Sequence, residues 1–362
     1  MKKFLVAILA VAMMLALAAC GGSKEQETTP AGSGNQGGAA DSGIPKMEIV
    51  IAMAQSETSN EAQNFQVLMD YVTEKSGGNI TFKVHYNGEF CAQQEQMDYI
   101  KDGSIDLHYN LVAQNPQKNI VRQAFGNTTQ NDNVNEMFDL ITKENPETAA
   151  IIDKEAAENN VKILGVWNGG STVFLSTKPL TSLEDLRGTS YGADMGTEAV
   201  AALGVSTQSV LLADIYESLS RGVISSTSIT LPGAIAMKFY EVAQNVLYLT
   251  MAAPSHQLEM NLDTWNALGE EGQKIFMEAV KKSEDANLER LVAQEQGMLQ
   301  TMRDAGCTVT EPGEADKMEY LTNVYQQKYN TFYPMAQQAG KGDEFLAILD
   351  ACCEFNGITI QK

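Results

Sequence analysis

From Met47 onward the chain repeats one unit, a strand pattern followed by an amphipathic helix pattern and another strand. "MEIVIAMA" is a continuous apolar run of strand length. "EAQNFQVLMDYVTEKSGG" sets Phe65, Leu68, Met69 and Val72 at helical spacing and ends in glycines. "NITFKVHY" then alternates strictly, with Ile80, Phe82, Val84 and Tyr86 on one side and Thr81, Lys83 and His85 on the other. A helix through "AQQEQMDYIKDG" leads into "SIDLHYN", which alternates again. Strands joined by helices must pair in parallel and carry the helices on their faces, so the class is α/β.

The pattern returns in the second half. "VKILGVW", "TVFLS", "GTSYGA", "TQSVL", "ISSTSITL" and "NVLYLT" are strand candidates. "SLEDLRG" reads as a helix with a Thr181/Glu184 capping box and Gly188 as its stop. Helices are expected over "GTEAVAALG" and "LADIYESLSRG", and another through Met237 and Tyr240. From Glu270 to Arg303 there is no proline and only two glycines, and Phe276, Ala279, Val280, Leu291, Met298, Leu299 and Met302 mark one face. One helix of that extent would be about 50 Å long, enough to cross two lobes; a pair broken near Asn287 or Gly297 is the alternative.

Upstream, "MKK" and "FLVAILAVAMMLALA" have the charge and length of a secretory leader, and "LAAC" places small residues before Cys20. Residues 1–19 therefore read as a signal peptide. The cysteine at the cut resembles the bacterial lipoprotein box, which implies a lipid on Cys20 and an anchor on the extracytoplasmic face of the cell membrane. A transmembrane anchor is the alternative, disfavoured by the short apolar run. Residues 20–45 are a Gly/Ser-rich polar tether with nothing to bury. About 315 residues follow, enough for two lobes.

The formal charge is −21, and −23 once Lys2 and Lys3 leave with the leader. Nucleic acid is excluded as a partner, because no Lys/Arg cluster offers a phosphate-binding surface. Cys91, Cys307, Cys352 and Cys353 form no CxxC pattern. They read as buried small hydrophobes, with a Cys307–Cys352 disulfide as the alternative. His85, His108 and His256 lie far apart in the chain, so no metal or other cofactor is expected. No nucleophile elbow, HExxH, P-loop or GxGxxG appears, so no enzyme is expected either.

Five segments in order carry a family resemblance. "STKPLTSLEDLRG" resembles the S-x-x-P-(I/L)-x-(S/T)-x-E-D-L-(K/R)-G segment of the DctP-type solute-binding proteins of TRAP transporters. "ADIYESLSRGVI", "MKFYEVAQNV", "TWNALGEEGQKIFMEA" and "DYIKDGSIDL" are similar to further segments of that family at matching spacing. The resemblance implies a two-lobed clamshell of the periplasmic-binding-protein kind, with the long C-terminal helix spanning both lobes. Lobe I would comprise 46–166 with about 253–290, and lobe II 167–252 with about 291–362. It also implies capture of a small organic solute in the inter-lobe cleft and delivery to membrane permease subunits driven by an ion gradient. Presentation of the ligand to a signalling receptor by the same clamshell is the alternative.

The family places an arginine four residues past the glycine of "EDLRG", where it pairs with a substrate carboxylate; here that position is Gly192. A second family arginine falls on Ser171 and a family asparagine on Ile229. Residues 189–220 hold no Arg or Lys, and Arg187 reads as solvated surface on the capped segment. The candidate cleft residues are hydroxyls, amides, acids and aromatics: Trp167, Asn168, Ser171 and Thr172 at the crossing, then Tyr191, Asp194 and Thr227. Gln55, Glu57, Gln94, Glu95, Tyr109 and Asn110 join them at strand ends or helix starts of the first half, where open α/β sheets bind ligands. Trp167 and Tyr191 read equally as core aromatics, Glu57 and Glu95 as first-turn acids, and His256 as a packed histidine. Such a set suits a neutral, hydroxyl-rich or cationic solute better than a simple monocarboxylate.

Overall fold

The computed structural model describes residues 43–128, 133–194, 197–252 and 256–362. The leader, Cys20 and nearly all of the tether lie outside these residues. In chain order the first half runs β1 (Met47–Ala52), α1 (Asn60–Lys75), β2 (Ile80–His85), α2 (Gln96–Lys101), β3 (Leu107–Leu111), α3 (Asn133–Asp139), α4 (Pro146–Glu158) and β4 (Val161–Trp167). The middle runs β5 (Thr172–Ser176), β6 (Ser190–Ala193), α5 (Thr197–Ala201), β7 (Ser206–Ser209), α6 (Ile215–Ser220), β8 (Ser226–Thr230), α7 (Leu231–Ala236) and β9 (Asn245–Leu249). The chain ends with β10 (His256–Asn261), α8 (Leu262–Ala267), α9 (Gly269–Asp304), β11 (Thr308–Thr310), α10 (Glu314–Gln338) and α11 (Gly342–Phe355).

Two sheets result, in the orders β2-β1-β3-β10-β4 and β11-β9-β5-β8-β6-β7. β1 pairs in parallel with β2 and β3, as the strand–helix–strand pattern requires. β10 enters antiparallel between β3 and β4. The chain leaves the first sheet at 168–171 and returns to it between β9 and β10. Each sheet buries apolar side chains on both faces. Phe65, Leu68, Val72, Phe276 and Val280 cover one face of the first sheet from α1 and α9. A second cluster, with Phe138, Phe174, Tyr325 and Phe345, runs across to the other sheet.

α9 is one unbroken helix of 36 residues, about 54 Å by its rise. It touches α1 and β4 near its start, α7 further on and β11 near its end, and so crosses both lobes. The sequence expectation placed 291–362 with the second lobe. In the structure α10 and α11 also pack on residues 122–124, and α11 packs on α4, so this segment is shared.

Three local expectations are corrected. The "SLEDLRG" segment is a 3-10 turn over Glu184–Gly188. Its cap is Asp185, whose Oδ2 accepts from the N–H groups of Thr181 and Ser182 and from the Thr181 hydroxyl, and not Glu184. The helix expected through Met237 and Tyr240 ends at Ala236, because Lys238 takes a left-handed conformation (φ 57°) before a further short turn. Cys91, Cys307, Cys352 and Cys353, by contrast, are free and buried, as their reading as small hydrophobes expected.

Beneath the first sheet lies a buried charge network. Arg122 donates through Nε to Glu155 (3.2 Å) and through Nη1 to Glu259 and Gln257. Asn110 Nδ2 donates to Glu259 Oε1 at 2.8 Å, and His108 Nε2 lies 3.5 Å from Glu259 Oε2. Burial pushes the Glu259 carboxyl up, but Arg122 and its hydrogen-bond donors outweigh this and hold it low, at about 2. A group depressed in the folded state stabilises above its unfolded value and loses that contribution as pH falls through the folded one. Stability from Glu259 is therefore lost from about pH 4.5 down to about 2. Arg122→Met leaves two buried carboxylates without their cation and should cost ~3–5 kcal/mol in urea denaturation at pH 7; a loss below ~1 kcal/mol would show that the network is not integral to the fold.

Candidate functional site

Where the two sheets, α1, α7 and α9 meet, they enclose a cavity of about 330 Å³. The first turns of α1 contribute Asn60, Glu61 and Asn64, and β10 contributes His256. Ser59 caps α1 by accepting from Ala62 N, which fixes the direction of that first turn. The opposite wall is Thr230 with Pro232, Gly233 and Ala236 of α7, and Thr230 Oγ1 caps that short helix through Gly233 N. Trp167 and Asn168 form the floor at the crossing, and Asn287 and Leu291 face it from α9.

The floor is held rigidly. Trp167 Nε1 donates to Ser283 Oγ at 2.9 Å, and Phe65 meets the Trp167 ring edge-on at 4.7 Å between centroids. Asn287 Oδ1 accepts from Asn168 N at 2.8 Å, and Asn168 Oδ1 accepts from Gly170 N at 2.7 Å. The last turn of β4 is pinned by Glu284, whose Oε1 accepts from Val166 N at 2.9 Å. That approach needs Gly165, because a β-carbon there would lie 2.3 Å from the same oxygen.

On the α1 wall, His256 Nε2 lies 3.8 Å from Glu61 Oε1, and the His256 and Tyr109 rings are 5.3 Å apart. Burial lowers the His256 pKa, against the opposing pull of Glu61, so the imidazole is neutral at pH 7. Tyr109 Oη and Gln55 Oε1 are buried close together without a well-formed hydrogen bond. Arg290 Nη1 donates to Asn64 Oδ1 at 2.6 Å from beside the cavity.

Of the residues singled out from the sequence, the cavity brings together Trp167 and Asn168. Tyr109 and Gln55 stand behind its wall. Asn110 belongs to the Glu259 network. Gln94, Glu95, Glu57 and Asp194 are exposed, and Glu95 accepts from Ala92 N; the inward amides of that turn are Gln93, which donates to Tyr109 O at 3.1 Å, and Gln96. Tyr191 is a core aromatic whose hydroxyl meets Ser228 Oγ at 2.6 Å. Ser171 is buried and donates to Glu295 Oε1, with Tyr248 Oη at 3.3 Å. Thr172 pairs with Thr230 and Leu249 in the sheet, and Thr227 is fully buried. Sequence reading missed Asn60, Glu61, Asn64, Thr230 and Asn287. Asn287 and Asn64 carried a signal, an amide on the apolar face of a helix.

Gly192 faces packed aliphatics: a β-carbon there would lie 2.7 Å from Ile224 Cγ2 and 3.0 Å from Val210 Cγ2. Ile229 is half-buried. Arg187 is half-exposed and bonds Leu203 O and Glu184.

The family model for bacterial extracellular solute-binding proteins, family 7 (DctP), matches residues 51–333. The chain belongs to that family. DctP-type proteins are the solute-binding components of TRAP transporters, and that is this protein's function. A solute-binding protein of Sulfitobacter sp. NAS-14.1 is 26% identical over 277 residues, which span 74% of this chain and 81% of that one. The sialic acid-binding periplasmic protein SiaP of Vibrio cholerae is 22% identical, over 76% of this chain and 87% of its own. A TRAP periplasmic solute-binding protein of Sulfitobacter sp. NAS-14.1, solved with β-D-galacturonate, superposes with a TM-score of 0.64 at 21% identity, covering 84% of this chain and all of that one. The two-lobed DctP architecture is therefore shared, and the signalling alternative draws no support from these relatives. Among the described residues no helix is long and apolar enough to cross a membrane.

Burial raises the Glu284 carboxyl from its ordinary 4.5 to about 7, against the opposing effects of Lys143 and the Val166 N–H. The folded state thus binds this proton more tightly, and stability declines as pH rises from about 4.5 to about 7. Glu284→Gln keeps the acceptor for Val166 and removes the titration, so chemical denaturation should show a flatter profile over that window and a gain of ~1–3 kcal/mol at pH 8. Gly192→Arg, in contrast, forces a long side chain into Ile224 and Val210. It should destabilise by ~1–3 kcal/mol or more without conferring affinity for small acids in calorimetry.

Proposed function

We propose that the solute is bound in the cavity between α1, α7 and α9, and that it is neutral and hydroxyl-rich, or cationic, rather than a simple monocarboxylate. The observation that carries this is the fate of the two family arginine positions. Ser171 is bonded to a carboxylate, that of Glu295, and Gly192 is roofed by Ile224. The lining offers amides, a threonine hydroxyl, an aromatic floor and one carboxylate instead. Asparagine donates and accepts at once, which suits hydroxyl groups.

The walls come from opposite lobes, with the floor at the crossing, so drawing Thr230 and Ala236 toward Asn60 and Glu61 would bury a ligand between them. The ligand stabilises the closed form only by its differential affinity for it. Lobe I as 46–166 with 253–290 and lobe II as 167–252 with 291–362 are the moving bodies of this reading, with α10 and α11 shared between them. Binding and release are the chemistry this reading gives the cavity. Cys20 would carry the lipid and 20–45 the tether, holding the clamshell at the extracytoplasmic face of the membrane within reach of the permease subunits.

Ala236 is exposed and lines the cavity, so Ala236→Trp plugs it without disturbing a packed core. Isothermal titration against sugars, nucleosides, amines and carboxylic acids should yield a ligand for the wild type. The variant should bind that ligand at least a hundredfold more weakly with an unchanged melting temperature in its absence. Tight binding of a small monocarboxylate, or indifference to the plug, would overturn the reading.

A further inference from the structure

We propose that the solute carries a cationic nitrogen and that Glu61 is its anchor. This rests on the cavity being the binding site, as argued above, and narrows the ligand class to one chemistry.

Glu61 is the one formally charged side chain among the described residues that line the cavity, since burial keeps His256 neutral. Its side chain is 26% exposed, and His256 Nε2 at 3.8 Å stands beyond hydrogen-bond distance. A carboxylate so placed in a concave, half-dry wall has lost part of its hydration, and an incoming ammonium or amidinium restores the balance. Behind Glu61, outside the cavity lining, the Tyr109 hydroxyl and Gln55 Oε1 are buried close together. The Tyr109 hydroxyl lies in the field of Glu61, and Gln55 is its polar neighbour. An ionised carboxylate accepts and cannot donate, so it calls for a ligand that donates, and a protonated nitrogen donates without needing to accept. The Trp167 floor adds an aromatic wall of the kind that tolerates cations.

The surroundings agree. Around the far side of the crossing, where the family resemblance has an arginine, Ser171 is bonded to Glu295. The chain as a whole carries −21, which draws cations toward its clefts and repels small acids. Arg290 does not line the cavity and bonds Asn64 from outside it.

The test is ligand capture. The full chain is incubated with a bacterial metabolite extract and freed of unbound solute by gel filtration. It is then denatured, and the released molecules are read by mass spectrometry and by retention on a cation exchanger at pH 7. The wild type should release a basic solute. Glu61→Gln should capture at least tenfold less of it, Glu61→Asp should retain part, and all three should melt alike without solute. Release of an acidic or neutral solute overturns the proposal, as does capture undiminished by Glu61→Gln. An acid whose capture is lost in Arg290→Ala would make Arg290 the anchor instead. In each of these cases loss of capture in Ala236→Trp still upholds the cavity as the site. Capture indifferent to that plug removes the site itself.

Discussion

One guanidinium ties together parts of the chain far apart in sequence. Arg122 reaches Glu155 on α4, Glu259 and Gln257 on β10, and Asn119 in its own loop. Its neighbour Val121 adds a backbone bond to Glu155 at 2.7 Å, and Lys341, just before α11, comes within 4.0 Å of the same carboxylate. Two buried carboxylates are tolerable in a sheet layer only with a cation and donors between them. Satisfying both from one arginine fixes β10 between β3 and β4, and β10 is the strand that returns from the second lobe. The placement of His256 at the cavity wall follows from that register.

The same economy of position governs the floor of the cavity. Gly165 lets Glu284 reach the β4 backbone, and about one helical turn to either side of Glu284 the helix supplies Val280 to the core and Asn287 to Asn168. α9 thus serves as wall, clamp and spanning rod together. A clamshell needs a fixed element against which the lobes move, and a helix bonded to the crossing strand at three successive residues, 166, 167 and 168, meets that need.

Much of this was legible in the sequence. The parallel start of the first sheet and the long helix followed from periodicity, because apolar spacing is dictated by burial, whereas the crossing near Trp167 came from the family resemblance. The phase of short elements was not. Gln94 and Glu95 were singled out, yet Gln93 and Gln96 face inward, since a 3-10 turn precedes α2 and shifts which side chains point to the sheet. The cap of the "SLEDLRG" turn fell to Asp185, which precedes no α-helical turn: its carboxylate gathers the Thr181 and Ser182 N–H groups, whereas a Thr181/Glu184 capping box presupposes an α-helix that the segment does not form. Arginine's absence at 192 could be read directly, but not that Ile224 and Val210 occupy the space it would need.

By itself, then, the sequence determined the class of the fold, the family and the lack of an arginine clamp, because each is written in spacing or in residue identity along one segment. The tertiary structure alone decided which polar groups share a cavity. Asn60 and Glu61 belong to the first helix, Thr230 to a strand end in the other lobe, and Asn287 to the spanning helix, and nothing in their local sequence links them. Only the packing of α9 across both sheets, set by buried area and by the Gly165–Glu284 contact, brings them to one place.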